Sequence, residues 1–476
     1  MFNRTGQNKE IQNAVENDAH SYYSIISEIL NEIFLSGNYE VKSVFNKKIE
    51  RFSFSNARFK FKASIRNAVS GVVKNKTLLE RIINWYSVKP LGKLKRKEKI
   101  VLYSGIYEIL FSSRPAYALV DEIVTYSKKQ SGNNFGNFVN ALLKKISAEK
   151  SIILDKINKL DFEIKYSLPE WFIKLLKNQE YLNDRLEDIL KSYHSSPNYF
   201  LRVNAERSSK NQVIDSLNQE GVLTDITGLP ENCIKVLKLN AKIGELSAVK
   251  NGFAYIQDVS SQICAAICAS ELNDLDSPRF FFDVCSAPGG KLMTVRNLSK
   301  EKENISYLSM DSDIGRINLM KKNISRNFLN ADFFKILNGN LNWLPVNLSK
   351  SKKNCAVLFD APCSGSGIIG RYPGKLFSMT SKDIAVLSGV QILGLKKIIE
   401  SAGQGTVIVY SVCSILYEET FKAVETAVAS FKKAVTIRIN PELLKGINNY
   451  YQTDKGVLIY PSSETDGFFI AKIKIV

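Results

Sequence analysis

The chain has 476 residues, 45% of them hydrophobic, and a formal net charge of +18, which fits a multidomain protein attracted to polyanions, with nucleic acid as the leading partner. Two histidines leave almost no material for Ser-His or Cys-His catalysis, and seven cysteines without C-x-x-C pairing argue against disulfide frameworks and zinc sites, so no metal is expected. No apolar stretch approaches the roughly 20 residues of a membrane span, and the start, "MFNRTGQNKEIQNAVEND", lacks the features of a secretory signal; no membrane partner and a cytoplasmic location are expected.

From about residue 8 to 150 the spacing predicts helices, as in "AHSYYSIISEILNEIF", "KIVLYSGIYEILF" and "ALVDEIVTYSKKQ", with Pro115 marking a stop and a restart. Within this stretch "KPLGKLKRKEK" concentrates cations: Lys93, Lys95 and Arg96 are candidate phosphate contacts, against the alternative of a solvated connector. Residues 165–250 mix the two periods. "YFLRVN" alternates like a strand and "SSKNQVIDSLNQEG" opens on a capping Ser and stops at Gly221, which predicts a small α+β unit.

From 251 onward short apolar strands alternate with helices: "RFFFDV", a helix from Lys291, "ISYLSM", "IGRINLMKKNISRN", "FFKIL", "CAVLFD", "DIAVLSGVQILGLKKIIESA", "TVIVY", "EETFKAVETAVASF", "VTIRI" and "GFFIAKIKIV". This order predicts a doubly wound α/β domain with a parallel sheet, and ligands collect beyond the carboxyl ends of such strands.

Four loops lie there. "CSAPGGK", Cys285 to Lys291, offers Gly289 and Gly290 for close backbone approach and a helix N-terminus behind them. Asp311 ends the second strand 21 positions beyond Gly290 (311 − 290), the spacing at which an acid reaches a ribose diol, and Asn340 follows the third strand with an amide suited to a base edge. In order on one fold, these favour an adenosyl cofactor. The other two loops, "DAPCSGSG" and "YSVCSILYEE", each place a thiol, Cys363 and Cys413, just past a strand, where helix N-termini favour the thiolate. Cys264, Cys268, Cys285 and Cys355 flank or lie within apolar runs and are expected to be buried. Spacing does not say which of Cys363 and Cys413 attacks.

"DVCSAPGGK", "MDSD", "DAPCSGSG" and "YSVCSILYEE", in this order, resemble the Sun family of RNA cytosine-5 methyltransferases, the bacterial RsmB-like enzymes in particular. "GFAYIQDVSSQ", "TDGFFIAKI" and "RVN" are similar to its flanking and RNA-binding motifs. "PAYALVDEIVTYSKK" and "FGNFVNALLKKI" resemble the NusB-like helical domain of bacterial members.

The resemblance implies an all-α NusB-like domain over 8–150, a small α+β RNA-binding domain over 165–250 and a Rossmann-like methyltransferase domain over 251–476. It implies S-adenosylmethionine held by Cys285, Ser286, Ala287, Pro288, Gly289, Gly290, Lys291, Asp311, Asn340 and Asp360, with Asn340 standing where relatives usually have Asp. It assigns Cys413 as nucleophile, Cys363 to product release and Asp360 to the edge shared by cofactor and base, with Arg202 and Arg371 among the RNA contacts. Small-subunit (16S) ribosomal RNA is the implied substrate of a monomeric enzyme. A transfer-RNA enzyme, a DNA enzyme attacking through Cys363 and a noncatalytic assembly factor are the alternatives.

Overall fold

The computed structural model describes residues 19–37, 41–49, 59–195, 197–341 and 354–476. The chain divides into two compact units, one of residues 1–174 with 372–379, the other of residues 175–371 with 380–476.

The first unit is helical. Helix Arg96–Phe111 is its axis: Ile100, Val101, Leu102, Tyr103, Ile106, Ile109 and Leu110 are all buried, so its apolar residues run around the helix instead of along one stripe. Helices Ala19–Ser36, Phe59–Lys74, Ala116–Ser131 and Asn133–Ala148 surround it. Gly105 makes this possible, since a Cβ there would stand 3.0 Å from a Leu143 methyl and 3.2 Å from one of Ile123. The break expected at Pro115 is present, one helix ending at Phe111 and the next beginning at Ala116.

The second unit carries two sheets. In the smaller, β1 (Tyr199–Val203), β2 (Leu223–Asp225), β3 (Cys233–Lys238) and β4 (Ala254–Ile256) are ordered β2-β3-β1-β4, all neighbours antiparallel. Helix Lys210–Gln219 starts at Ser209, whose hydroxyl caps the Gln212 amide while the Gln212 side chain returns to the Ser209 amide. It buries Val213 and Leu217 in the core formed by Leu201, Val203 and Ile234. The fourth strand lies past residue 250, so this sheet extends beyond the boundary read from the sequence.

The larger sheet contains β5 (Arg279–Val284), β6 (Ile305–Asp311), β7 (Phe334–Asn338), β8 (Cys355–Asp360), β9 (Val407–Val412), β10 (Ala434–Ile437), β11 (Tyr450–Thr453), β12 (Gly456–Ile459) and β13 (Phe468–Ile475). Its order is β11-β12-β13-β9-β8-β5-β6-β7, with β10 also on β13. β7, β6, β5, β8 and β9 are parallel, as expected for a Rossmann-like fold. β10 to β13 are not. β13 runs antiparallel to β9, and β11 and β12 form a hairpin closed by Asp454 and Lys455, so the sheet is mixed. The strand order turns back between β5 and β8, and the crevice beyond their carboxyl ends is where such a fold places a ligand.

Candidate active site

The loop leaving β5 is wired from below and from the side. Asp283 is buried and accepts from the Ser286 hydroxyl at 2.7 Å, and the Ser286 amide donates to the Met310 carbonyl on β6 at 2.9 Å. Gly289 adopts φ +92°, and a Cβ there would stand 2.9 Å from Met320 Cγ, so both backbone and space require glycine. Helix Gly290–Leu298 begins directly behind it. Burial, reinforced by the charges of Asp311, Asp360 and Asp283, pushes the Cys285 thiol up to about 12, which disqualifies it as a nucleophile at neutral pH.

Asp311, at the tip of β6, is buried. Its carboxylate accepts from the Ala287 amide at 3.2 Å and the Asp313 amide at 3.1 Å, and Arg316 Nη1 lies 3.6 Å away. Arg316 also donates to the Ala287 carbonyl, and Asn323 donates to the Pro288 carbonyl at 3.0 Å. Asn340 is exposed two residues past β7, whose last residue, Asn338, pairs with Asp311 across the ladder. These residues fit an adenosyl cofactor with an amino-acid tail: a glycine cradle, a helix N-terminus and an acid at the second strand's end. Beside Gly290 lies Gln257 Nε2, a buried donor without a partner, 3.6 Å from where a Cβ would be, which suits an acceptor such as a carboxylate.

The two thiols come together. Cys363 Sγ and Cys413 Sγ are 3.2 Å apart, in the loops leaving the adjacent parallel strands β8 and β9, partly exposed and in no disulfide. Backbone bonds fix this approach: the Gly367 amide donates to the Cys413 carbonyl at 3.1 Å, and the Gly467 amide donates to the Gly367 carbonyl at 2.9 Å. Cys264, Cys268 and Cys355 are buried in the apolar interior.

Asp360 ends β8 and accepts from Lys291 Nζ at 2.7 Å on one oxygen and from the Ser411 hydroxyl at 2.8 Å on the other. Burial, the largest single influence, would lower the Lys291 pKa, but the charge and hydrogen bond of Asp360 together with the charge of Asp283 and other nearby groups outweigh it, and the ammonium is held above its ordinary value. The last residue of "CSAPGGK" thus reaches from the cofactor loop to the thiol loops. Sequence reasoning placed Lys291 with the cofactor and missed this ion pair; it also missed Glu419, which is fully buried between the two cysteine loops. The only signal for Glu419 was a pair of acids after Cys413, read as the start of a helix; that stretch is a 3-10 turn, Tyr417–Glu419, and the helix begins at Phe421.

Two residues expected to contact RNA are engaged within the fold. Arg202, on β1, is 2% exposed and donates inward to the Glu231 carbonyl at 2.7 Å, so its guanidinium does not face a surface ligand. Arg371 is held by Asp466 at 2.7 Å and Asp258 at 3.0 Å, its charge committed to internal ion pairs. Lys93, Lys95 and Arg96 are exposed on the helical unit, Arg96 with its Nε donating to Asn31 at 2.9 Å.

Comparison with known families matches the 16S rRNA methyltransferase RsmB/F description over residues 271–474, the NusB family over 24–148 and the RsmF/B ferredoxin-like domain over 168–240. Over residues 271–474 the chain carries an RsmB/F methyltransferase domain. It is an RNA methyltransferase that uses S-adenosylmethionine. Ribosomal RNA small subunit methyltransferase B of Proteus mirabilis is 26% identical over 375 residues, covering 79% of this chain and 85% of that protein. The protein of the same name from Pasteurella multocida is 26% identical over 411 residues, covering 85% and 86%. The fold is shared with the crystal structure of PH0851, at TM-score 0.70 and 20% identity over 96% of this chain and 98% of that one. It is shared also with NSun6 from Pyrococcus horikoshii with SFG, at TM-score 0.54 and 20% identity over 65% and 98%. No helix among the described residues is long and apolar enough to cross a membrane.

Proposed function

We propose that the enzyme methylates carbon 5 of a cytosine in small-subunit (16S) ribosomal RNA, in the cytoplasm, through a transient covalent bond between Cys413 and carbon 6 of the base. The observation that carries this reading is the pair of thiols, Cys363 and Cys413, at 3.2 Å beside the Lys291–Asp360 ion pair. The names of the RsmB relatives support the choice of RNA.

Carbon 5 of cytosine is too electron-poor to attack a methyl group unaided. Addition of the Cys413 thiolate to carbon 6 leaves an enamine-like carbon 5 and spreads negative charge toward the base nitrogen and carbonyl. Asp360, one hydrogen bond from the Lys291 ammonium, lets the pair pass a proton toward that nitrogen as the charge develops. When bound, S-adenosylmethionine supplies the methyl group from its sulfonium. Loss of the carbon 5 proton then allows the Cys413–carbon 6 bond to break and the double bond to return, a step assigned to the assistance of Cys363. A thiol must approach the face of the ring, so the target base is unstacked from its neighbours.

The test is transfer of labelled methyl from S-adenosylmethionine to unmodified 16S RNA. Cys413→Ala abolishes transfer and forms no adduct; Cys363→Ala accumulates a protein–RNA adduct that survives denaturation. Adduct formation by Cys413→Ala overturns the assignment of roles, and equal labelling of transfer RNA overturns the substrate.

A further inference from the structure

Glu419 has a place in the fold that the reaction as described does not use. It is fully buried, and it takes four donors: the Ser364 amide at 2.8 Å and Gln391 Nε2 at 3.1 Å on one oxygen, the hydroxyls of Ser364 at 2.5 Å and Ser414 at 2.6 Å on the other. Ser364 directly follows Cys363, and Ser414 directly follows Cys413. A single carboxylate therefore holds the residue next to each thiol.

The neighbours extend the same tie. Gln391 also donates to the Pro362 carbonyl at 2.9 Å, on the other side of Cys363. The Ser366 and Ser414 hydroxyls are 2.9 Å apart, and the Ser366 hydroxyl accepts from the Ile415 amide at 3.0 Å. Glu419 is itself fixed, since its carbonyl accepts from the Tyr410 hydroxyl on β9 at 2.6 Å. No Lys, Arg or His among the described residues forms an ion pair with Glu419. A buried carboxylate is costly unless its lone pairs are filled, and here donors from both loops fill them together. Moving either loop would break hydrogen bonds that the other shares.

We propose that Glu419 is a positioning residue that locks the two thiol loops in register, so that Cys363 and Cys413 present their sulfurs to one base in a single catalytic cycle. The proposal rests on the reading that both thiols serve that base. The function of Glu419 is on the chemical step and not on binding, because its carboxylate faces the serines behind the thiols.

Two readouts test it on the full chain. Phenylarsine oxide bridges two thiols only when they are close, forming two As–S bonds while the two thiol protons leave with the arsenic oxygen as water. One equivalent should protect the parent protein from a monothiol reagent at two sites, and Cys363→Ala should lose that protection. Methyl-transfer kinetics form the second readout.

Glu419→Ala is expected to weaken the arsenical by about tenfold or more and to lower kcat by about 10²-fold, the scale of a roughly 1 Å misplacement, with KM for RNA and for S-adenosylmethionine within about twofold. Glu419→Gln should recover much of both, because the two serine hydroxyls can turn to accept from its amide. If the alanine variant does not fold, Ser414→Ala, which removes one tie from the second loop, carries the same two measurements with smaller expected losses. A folded Glu419→Ala or Ser414→Ala protein with parental arsenical affinity and kcat overturns the proposal. If Glu419→Ala loses the arsenical bridge while the parent methylates no cytosine, the positioning role stands and the reading of the reaction fails.

Discussion

Asp283 is the acid whose environment makes the most quantitative demand. Burial beneath the cofactor loop raises it from an ordinary 3.8 to about 7; the Ser286 hydroxyl works against this, Asp360 and Asp311 add to it, and Lys291 again opposes. In the unfolded chain the proton leaves near pH 4, whereas the folded protein keeps it to about pH 7. The stabilisation from burying a neutral acid is therefore complete below about pH 4, falls by about 1.4 kcal/mol per pH unit and is gone above about pH 7. The ceiling is about 4 kcal/mol, of which about 2–3 kcal/mol lies between pH 5 and pH 8.

Asp283→Asn imitates the neutral acid. Its carbonyl keeps the Ser286 bond, and its amide takes the place of Asp283 Oδ1, which has no partner in the folded protein. Variant and parent should be close in stability at pH 5, and the variant should gain by about 2–3 kcal/mol relative to the parent as pH rises to 8. Amide hydrogen exchange in β5 and β8, corrected for intrinsic rates, reads this opening free energy locally and is indifferent to what the helical unit does. A difference that stays constant across that range would refute the reasoning, because it would mean the folded protein holds Asp283 charged at both ends.

Neutralising Lys93, Lys95 and Arg96 together should weaken RNA binding for every sequence tested and make the slope of log K against log salt less negative by about 2–3, measured by filter binding. Arg202→Met, at a buried arginine, should leave that slope unchanged; a shifted slope would show that its guanidinium reaches phosphate after all. Gly367→Ala puts a Cβ 2.0 Å from the Gly467 carbonyl oxygen, backbone against backbone, and should lower thermal stability by about 1–3 kcal/mol. Gly389→Ala, in helix Ser381–Ser401 with nothing within 4 Å of the new Cβ, should raise stability by about 0.5–1 kcal/mol in the same melting experiment.

The parallel half of the large sheet was legible because its strands are short, largely apolar runs separated by helical periods. β5 and β8 coincide with the runs "RFFFDV" and "CAVLFD", and helix Ile314–Asn327 with its predicted span. The antiparallel half was not, because an apolar run reads the same in either direction, and the direction of β13 depends on its route into the sheet. The β11–β12 hairpin escaped for a related reason: Asp454-Lys455 is not one of the glycine-bearing dipeptides that announce a two-residue turn. In the site, a thiol just past a strand could be found from sequence, since strand ends and loop composition both show. A carboxylate that acts by filling its lone pairs with loop hydroxyls has no period or spacing to betray it, and Glu419 was accordingly taken for a helix start.

Arg202 and Arg371 show where net charge stops being informative. A charge of +18 raises the expectation that any arginine in an RNA-like motif faces solvent, yet what decides each case is the local set of acceptors. β1 lies between β3 and β4, and Arg202 pairs with Cys233 on one side and Tyr255 on the other, so its side chain leaves a central strand and meets the Glu231 carbonyl before it meets water. Arg371 finds two carboxylates, Asp258 before the helix Val259–Asn273 and Asp466 before β13, that lie 113 and 95 residues away in sequence. Partners at that range are invisible to a local reading. Lys93 and Lys95, exposed at the entrance to a helix, are not drawn into the interior in this way, which is why the salt-dependence test is placed on them together with Arg96.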